Sequence, residues 1–197
     1  ASNPYDINYP GRFAFLAGPE QPEGYTTSRR EFIGRNGTIG GTLVASVASG
    51  NVSFGAITVG DRGTVSRGAS IGTLTSTSMT LSGGARLEFK IWDVNTQVAG
   101  VGYDQFAFGN LDLSGASVSN KVVIKLISMS DASTFGSAGN LSLLQGASGI
   151  QYFSFGSFTA GGLNLGASNL GVNITDLFTF DTSQFTYTGG TASAASL

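Results

Sequence analysis

"SRGASIGTLTSTSMTLSGGARLEF", residues 66–89, is built almost wholly from Ser, Thr, Gly and apolar side chains. Its only charges are Arg67, Arg86 and Glu88. Residues 73–81 are rich in Thr and small or apolar residues, which favour an extended, pleated backbone. The Gly pair in "LSGGARL" (81–87) supplies the freedom in φ that a tight turn needs. Beyond the turn, Leu87, Phe89 and Ile91 alternate with Arg86, Glu88 and Lys90. A period of two is the mark of a half-buried strand. The stretch therefore predicts two short strands joined by a glycine corner.

The same texture runs outward to most of the chain. Of 197 residues, 30 are Gly and only 11% are charged, where a soluble domain has about 25%. Apolar residues reach 41%, enough to bury a core in one ordinary domain. Predicted strands are 42–47, 51–59, 73–81, 85–92, 103–108, 118–127, 141–144, 150–158, 171–180 and 184–188. In 121–126 the alternation recurs, with Val122, Ile124 and Leu126 opposite Lys121, Val123 and Lys125. Another Gly turn is expected at "VGDRGTV" (59–65). No segment carries a sustained helical stripe; at most one short turn is expected within 130–140, capped by Ser130 or Asp131. The class is all-β, as a sandwich or a stacked solenoid.

Composition excludes several chemistries. Cys and His are both absent, so no disulfide, thiolate nucleophile or Ser-His-Asp triad can form. Net charge is −2 with no basic concentration, unlike a nucleic-acid groove. No run approaches 18 apolar residues, so no membrane span is expected. The opening "ASNPYDINYP" has neither the basic start nor the apolar stretch of a signal peptide.

Texture changes near residue 33. All four prolines, Pro4, Pro10, Pro19 and Pro22, precede it. Proline removes a backbone donor and fixes φ, which disfavours a regular sheet. Residues 1–32 are read as an extended arm and 33–197 as the body. Within the arm, "GRFAFLA" (11–17) places Phe13 and Phe15 on one side and Ala14 and Leu16 on the other. Such a segment can pair with a sheet edge. "RREF" (29–32) reads as the solvated junction between arm and body.

Gly-x-Ser-x-Gly-Thr-Leu-Thr, followed by Leu-Ser-Gly-Gly-Ala and Leu-Glu-Phe, resembles the bacterial autotransporter-associated β-strand repeat. "GYDQFAFGNLDLSGA" (102–116) is similar to the second half of that pattern. The resemblance spans about residues 60–127. It implies a right-handed β-solenoid and a secreted surface protein, often carrying a PEP-CTERM sorting tail, as in the Verrucomicrobia–Planctomycetes group. Arg67 stands where that family commonly has Pro, the chain ends "TGGTASAASL" without such a tail, and the arm has no counterpart in the repeat. A stack of this kind buries apolar rows between rungs and leaves two raw ends.

Candidate chemistry is sparse. Glu88, Asp93, Asp104 and Asp112 lie on or near consecutive predicted strands; a pair of carboxylates at suitable separation can cleave a glycosidic bond. Arg86 or Lys90 beside an acid suits β-elimination. Solvated side chains and turn caps account for the same residues more simply. "VGDRG" is a single echo of a calcium-binding Gly-Asp repeat and is read as a turn. Trp92, the only tryptophan, falls on the polar side of its strand, either as a sugar-stacking platform or as a covered edge residue. In "IQYFSFGSF" (150–158), Phe153 and Phe155 are assigned to the core; Phe158, Phe178 and Phe180 are candidates for a face completed by another subunit.

The leading expectation is an all-β, right-handed β-solenoid-like stack with an extended N-terminal arm, the β-sandwich or jelly roll being the alternative. Its function is expected to be structural and non-catalytic: a secreted protein forming a fibre, sheath or surface layer on the cell exterior. The self-assembly arm is Phe13, Phe15 and Leu16; the exposed contact residues are Trp92, Tyr103 and Asp104. Partners are copies of the chain itself and a surface glycan, without nucleic acid, cofactor or metal. An adhesin or glycan-binding module is the second expectation and a polysaccharide-degrading enzyme the third.

Overall fold

A computed structural model describes residues 12–17, 31–33, 37–39, 42–47, 51–93, 98–138, 154–158, 161–187 and 190–191. Its strands are β1 Arg12–Ala17, β2 Glu31–Ile33, β3 Gly37–Ile39, β4 Thr42–Val47, β5 Asn51–Val59, β6 Thr64–Ser66, β7 Thr73–Leu81 and β8 Arg86–Ile91. They continue as β9 Gln105–Phe108, β10 Leu111–Asp112, β11 Val122–Ser128, β12 Gly156–Phe158, β13 Leu163–Asn164, β14 Phe178–Gln184, β15 Thr186–Tyr187 and β16 Gly190–Thr191. Helix among the described residues is confined to two 3-10 turns, Ala167–Asn169 and Ile174–Leu177. The all-β class is thus correct.

Two sheets carry the structure. One has six strands in the order β1-β4-β6-β8-β11-β14. The other joins β12-β9-β7-β10-β13, with β5 beside β7 and both β2 and β3 beside β5. Every strand-to-strand pairing within these two sheets is parallel; among the described strands, the small β15-β16 ribbon is the antiparallel pair, beside a few isolated antiparallel bridges. From β4 to β14 the chain passes from one sheet to the other and back. Neither sheet closes on itself, and no solenoid is established by the pairings alone.

Between the sheets lies one apolar cluster. Val65, Leu87, Phe89, Val122 and Ile124 come from the six-stranded sheet; Val52, Leu74, Met79, Leu81, Phe106 and Leu111 come from the other. Phe155 links several rings, with centroids 5.6 Å from Phe89, 5.3 Å from Phe106 and 6.5 Å from Phe178. Phe178 is buried and Phe180 packs against the same cluster, so this chain itself covers both. Phe153 and the side chain of Phe158 lie outside the described residues.

Local chemistry sets the breaks. Gly63 N–H donates to Gly60 O at 2.9 Å, closing a turn before β6, and Arg62 takes φ of 60° there. The predicted strand 171–180 is a strand only from Phe178. Asn173 Oδ1 accepts the Thr175 N–H at 3.1 Å and starts a 3-10 turn instead. No helix forms at 130–138, where Asp131 Oδ1 accepts from Ser133 N–H at 2.8 Å and the chain bends. The predicted strand at 141–144 lies outside the described residues.

The segment expected to dock on a neighbouring subunit pairs within its own chain. Strand β1, which contains Phe13, Phe15 and Leu16, lies parallel to β4 in the register Arg12↔Thr42 through Ala17↔Val47. An extended segment satisfies its backbone groups on the nearest free sheet edge, and β4 supplies one in the same molecule.

Candidate functional site

Two groups of polar residues stand out, one buried and one open. The buried group forms where the chain leaves the six-stranded sheet. Lys90 lies near the end of β8, on the phase predicted to face solvent. The connection that follows folds back over it: Trp92 and Asp93 N–H groups donate to Gly102 O at 3.0 and 3.1 Å, and Ile91 bridges Tyr103 antiparallel. This return seats Asp104 on Lys90. Asp104 Oδ2 lies 2.5 Å from Lys90 Nζ and accepts the Lys90 N–H at 3.0 Å, while Oδ1 accepts the Gly72 N–H at 3.1 Å. Arg67, just after β6, completes the group, its guanidinium lying over Gly72. Relative exposures are 1% for Arg67, 0% for Lys90 and 1% for Asp104.

Burial dominates the electrostatics. It pushes the Asp104 carboxyl above the ordinary carboxylate range, against the pull of the Lys90 ammonium and of the N–H groups of Lys90 and Gly72. Burial also lowers the Arg67 guanidinium, opposed by the charge on Asp104. Asp104 ties β8 to the starts of β7 and β9, so the group clamps the two sheets together. A polymer cannot reach it.

The exposed-contact expectation therefore fails for two of its three residues. Tyr103 is buried, its ring centroid 5.9 Å from that of Phe89, and Asp104 is buried as described. Trp92 is half-buried, and its indole N–H donates to Val101 O at 2.7 Å. Burial of Lys90 and Arg67 was not readable from the sequence. Alternation puts Lys90 outside, and the fold-back that covers it is a tertiary event.

The other carboxylates sit in turns or ion pairs. Asp112 Oδ1 accepts the Ser114 N–H at 2.8 Å. Burial, its largest single influence, pushes Asp112 up, yet hydrogen bonds from Ser114 and Asn164 together outweigh it and hold the carboxyl below its ordinary range. Glu88 Oε1 lies 3.6 Å from Lys125 Nζ. Asp181 is held low by hydrogen bonds from Ser183, with the Lys125 and Arg86 cations adding to them.

The open group lies on the outward phase of the six-stranded sheet. Parallel register aligns Thr64 with Arg86, Arg86 with Val123, and Val123 with Thr179. Two residues further along, Glu88, Lys125 and Asp181 are aligned in the same way. These seven residues are exposed or half-buried, while the intervening Val65, Leu87, Val122, Ile124 and Phe178 are buried. The face offers hydroxyl, guanidinium, ammonium and carboxylate groups to solvent. Among the described residues no group of three or more acids, His or Cys is placed to hold a metal ion. No helix among them is long and apolar enough to cross a membrane.

Comparison with known proteins adds a different kind of information. Residues 1–56 match the family model of the glycosyl hydrolase 94 supersandwich domain. Over 39 residues, 20% of this chain, the sequence is 62% identical to the cyclic beta-(1,2)-glucan synthase NdvB of Rhizobium meliloti (strain 1021). Those residues make up 1% of that relative, so the chain spans a very small part of it. No solved structure matches the chain. These matches overturn the resemblance to the autotransporter-associated repeat and to PEP-CTERM surface proteins. They equally overturn the non-catalytic, filament-forming function and the expectation that the chain is not an enzyme. The physical reason is plain: short parallel strands with tight corners draw the same Gly, Ser and Thr pattern from any family, so the pattern reported geometry rather than kinship. The stretch set aside as an arm falls wholly within the matched residues.

Proposed function

We propose that this chain is part of a carbohydrate-active protein and handles a glucan. The observation that carries this reading is the match of residues 1–56 to a glycosyl hydrolase supersandwich domain. The identity with a cyclic beta-(1,2)-glucan synthase supports glucan as the carbohydrate class. The matched stretch reaches into both sheets: it contains β1 and β4 of one and β2, β3 and most of β5 of the other. Its strands thus belong to the same sheets as the rest of the body.

The buried clamp serves stability and the open polar face serves contact. The partner is a neutral glycan met outside the cell, a location that the low charge and the absence of Cys permit. By composition, residues 1–32 are a proline-containing start and 33–197 a uniform β body, while strand β2 runs across that boundary. The finer fold reading is a coiled stack of rungs. Its support is the strand-by-strand alternation between two parallel sheets from β4 to β9 and the equal chain spacing of the partners Thr42, Thr64 and Arg86.

Affinity electrophoresis tests the function. The chain is expected to be retarded, saturably, in gels containing linear β-(1,2)-glucan and not in gels containing an α-glucan. Unchanged mobility in every glucan gel would contradict the reading.

A further inference from the structure

We propose that Lys90 and Asp104 condense on each other, tying β8 to the residue before β9 through a side-chain amide between Lys90 Nζ and Asp104 Cγ. This stands apart from the glucan reading and rests on the buried clamp alone. Both side chains are fully buried, and Nζ lies 2.5 Å from Asp104 Oδ2. Nζ nevertheless finds no acceptor along a hydrogen-bonding direction. Buried polar groups are normally hydrogen-bonded; this amine is instead pressed against a carboxyl group without donating to it in line. The carboxyl group is fixed from the backbone side. Lys90 N–H donates to Oδ2 at 3.0 Å, and Gly72 N–H donates to Oδ1 at 3.1 Å.

The reaction balances within the pair. The Lys90 ammonium passes one proton to Asp104 Oδ2, leaving a neutral amine beside a carboxylic acid. Burial, which pushes the Asp104 carboxyl above the ordinary carboxylate range, favours that transfer. The Nζ lone pair attacks Cγ and the N–C bond forms. Negative charge gathers on Oδ1, where the Gly72 N–H already points. The Arg67 guanidinium lies over Gly72 and adds positive charge on that side. A second proton passes from the nitrogen to Oδ2, the Cγ–Oδ2 bond breaks, and one water leaves. Nothing is oxidised or reduced. Two effects drive the step. Reactants fixed in contact reach effective molarities on the order of 10⁵ M or more, far above that of water itself. A neutral amide also relieves the cost of keeping two charges out of solvent. The structure shows the pair before condensation, with both groups intact. The freshly folded chain holds the ion pair, and the amide accumulates as the chain stands. With no Cys in the sequence, the amide gives this protein the covalent tie that a disulfide gives others.

The test follows the intact mass of the full chain, its folding checked by circular dichroism, through a long incubation, and then digests it with trypsin after denaturation. The mass is expected to fall below that of the sequence by one water. Trypsin is expected to stop cutting after Lys90, so that residues 87–121 remain one peptide, itself lighter by one water. Fragmentation of that peptide is expected to place the bond between Lys90 and Asp104. Lys90→Arg keeps a cation but offers no amine that can condense, and it is expected to retain its full mass. The fragmentation result locates the bond even if that variant fails to fold. A folded wild-type chain that keeps its full mass and is cut after Lys90 would overturn the proposal. So would a loss of water that persists in Lys90→Arg or that fragmentation assigns to other residues.

Discussion

Lys90 follows the alternation of β8 and yet is fully buried, because the connection after Trp92 returns over it and brings Asp104 down. Removing one member of such a pair strands the other in a low dielectric. Lys90→Met is expected to cost about 3–5 kcal/mol at neutral pH, read from urea unfolding. Replacing both partners by apolar residues, as Lys90→Met/Asp104→Leu, is expected to recover much of that loss. The pH dependence has a definite sign. Asp104 in the folded chain holds its proton above the ordinary carboxylate range, so protonation favours the fold between that range and its raised value. Loss of the Lys90 ammonium raises it further. The Lys90→Met variant should therefore gain stability as pH falls from 7 towards about 4, relative to wild type. A deficit that stays constant over that interval would contradict the assignment. Asp112, Asp131 and Asp181 act oppositely: each is held low, so its contribution is present above the ordinary range and lost as pH falls through its own value. Arg62 is a smaller case. Its φ of 60° is strained for a residue with a Cβ, so Arg62→Gly is expected to be neutral or to stabilise by up to about 1 kcal/mol in calorimetry.

Elements with enough residues to show a period were legible in the sequence. The predicted spans 42–47, 51–59 and 73–81 coincide with β4, β5 and β7, and the inward set of β8 is the predicted one apart from the burial of Lys90. What escaped is short. Strands β6, β10 and β13 have two or three residues, too few for any alternation; β6 and β10 form against longer partners, and β13 in turn pairs with β10. Strand β7 pairs with β9 along its first half and with β10 along its second. Between those two strands, Gly109 runs so close to β7 that a Cβ would stand 2.0 Å from Thr77 O. Gly109→Ala is expected to destabilise by about 1–3 kcal/mol through forced displacement of backbone. Gly162, with nothing within 4 Å of its Cβ position, is the control, and Gly162→Ala should fall within about 0.5 kcal/mol of wild type. Equal urea midpoints for the two variants would contradict the packing described.

At the scale of the molecule, composition and strand texture made the all-β class readable, because few charges and many glycines leave little else for the chain to form. Kinship and function were not readable from the same features. The proline-rich opening looked like an appendage by composition, yet its one strand-like segment lies in register on the six-stranded sheet. The candidate contact face was missed for a related reason. Alternation marks Arg86, Glu88, Lys125 and Val123 as outward, but only pairing shows that they align with Thr64, Thr179 and Asp181, residues far away in the chain. Backbone amide chemical-shift mapping with linear β-(1,2)-gluco-oligosaccharide tests the account most directly. Shifts are predicted to concentrate on Thr64, Arg86, Val123 and Thr179 and to spare the buried Leu74, Phe106 and Leu111 of the other sheet. Shifts spread over that second sheet, or none at saturating sugar, would contradict it.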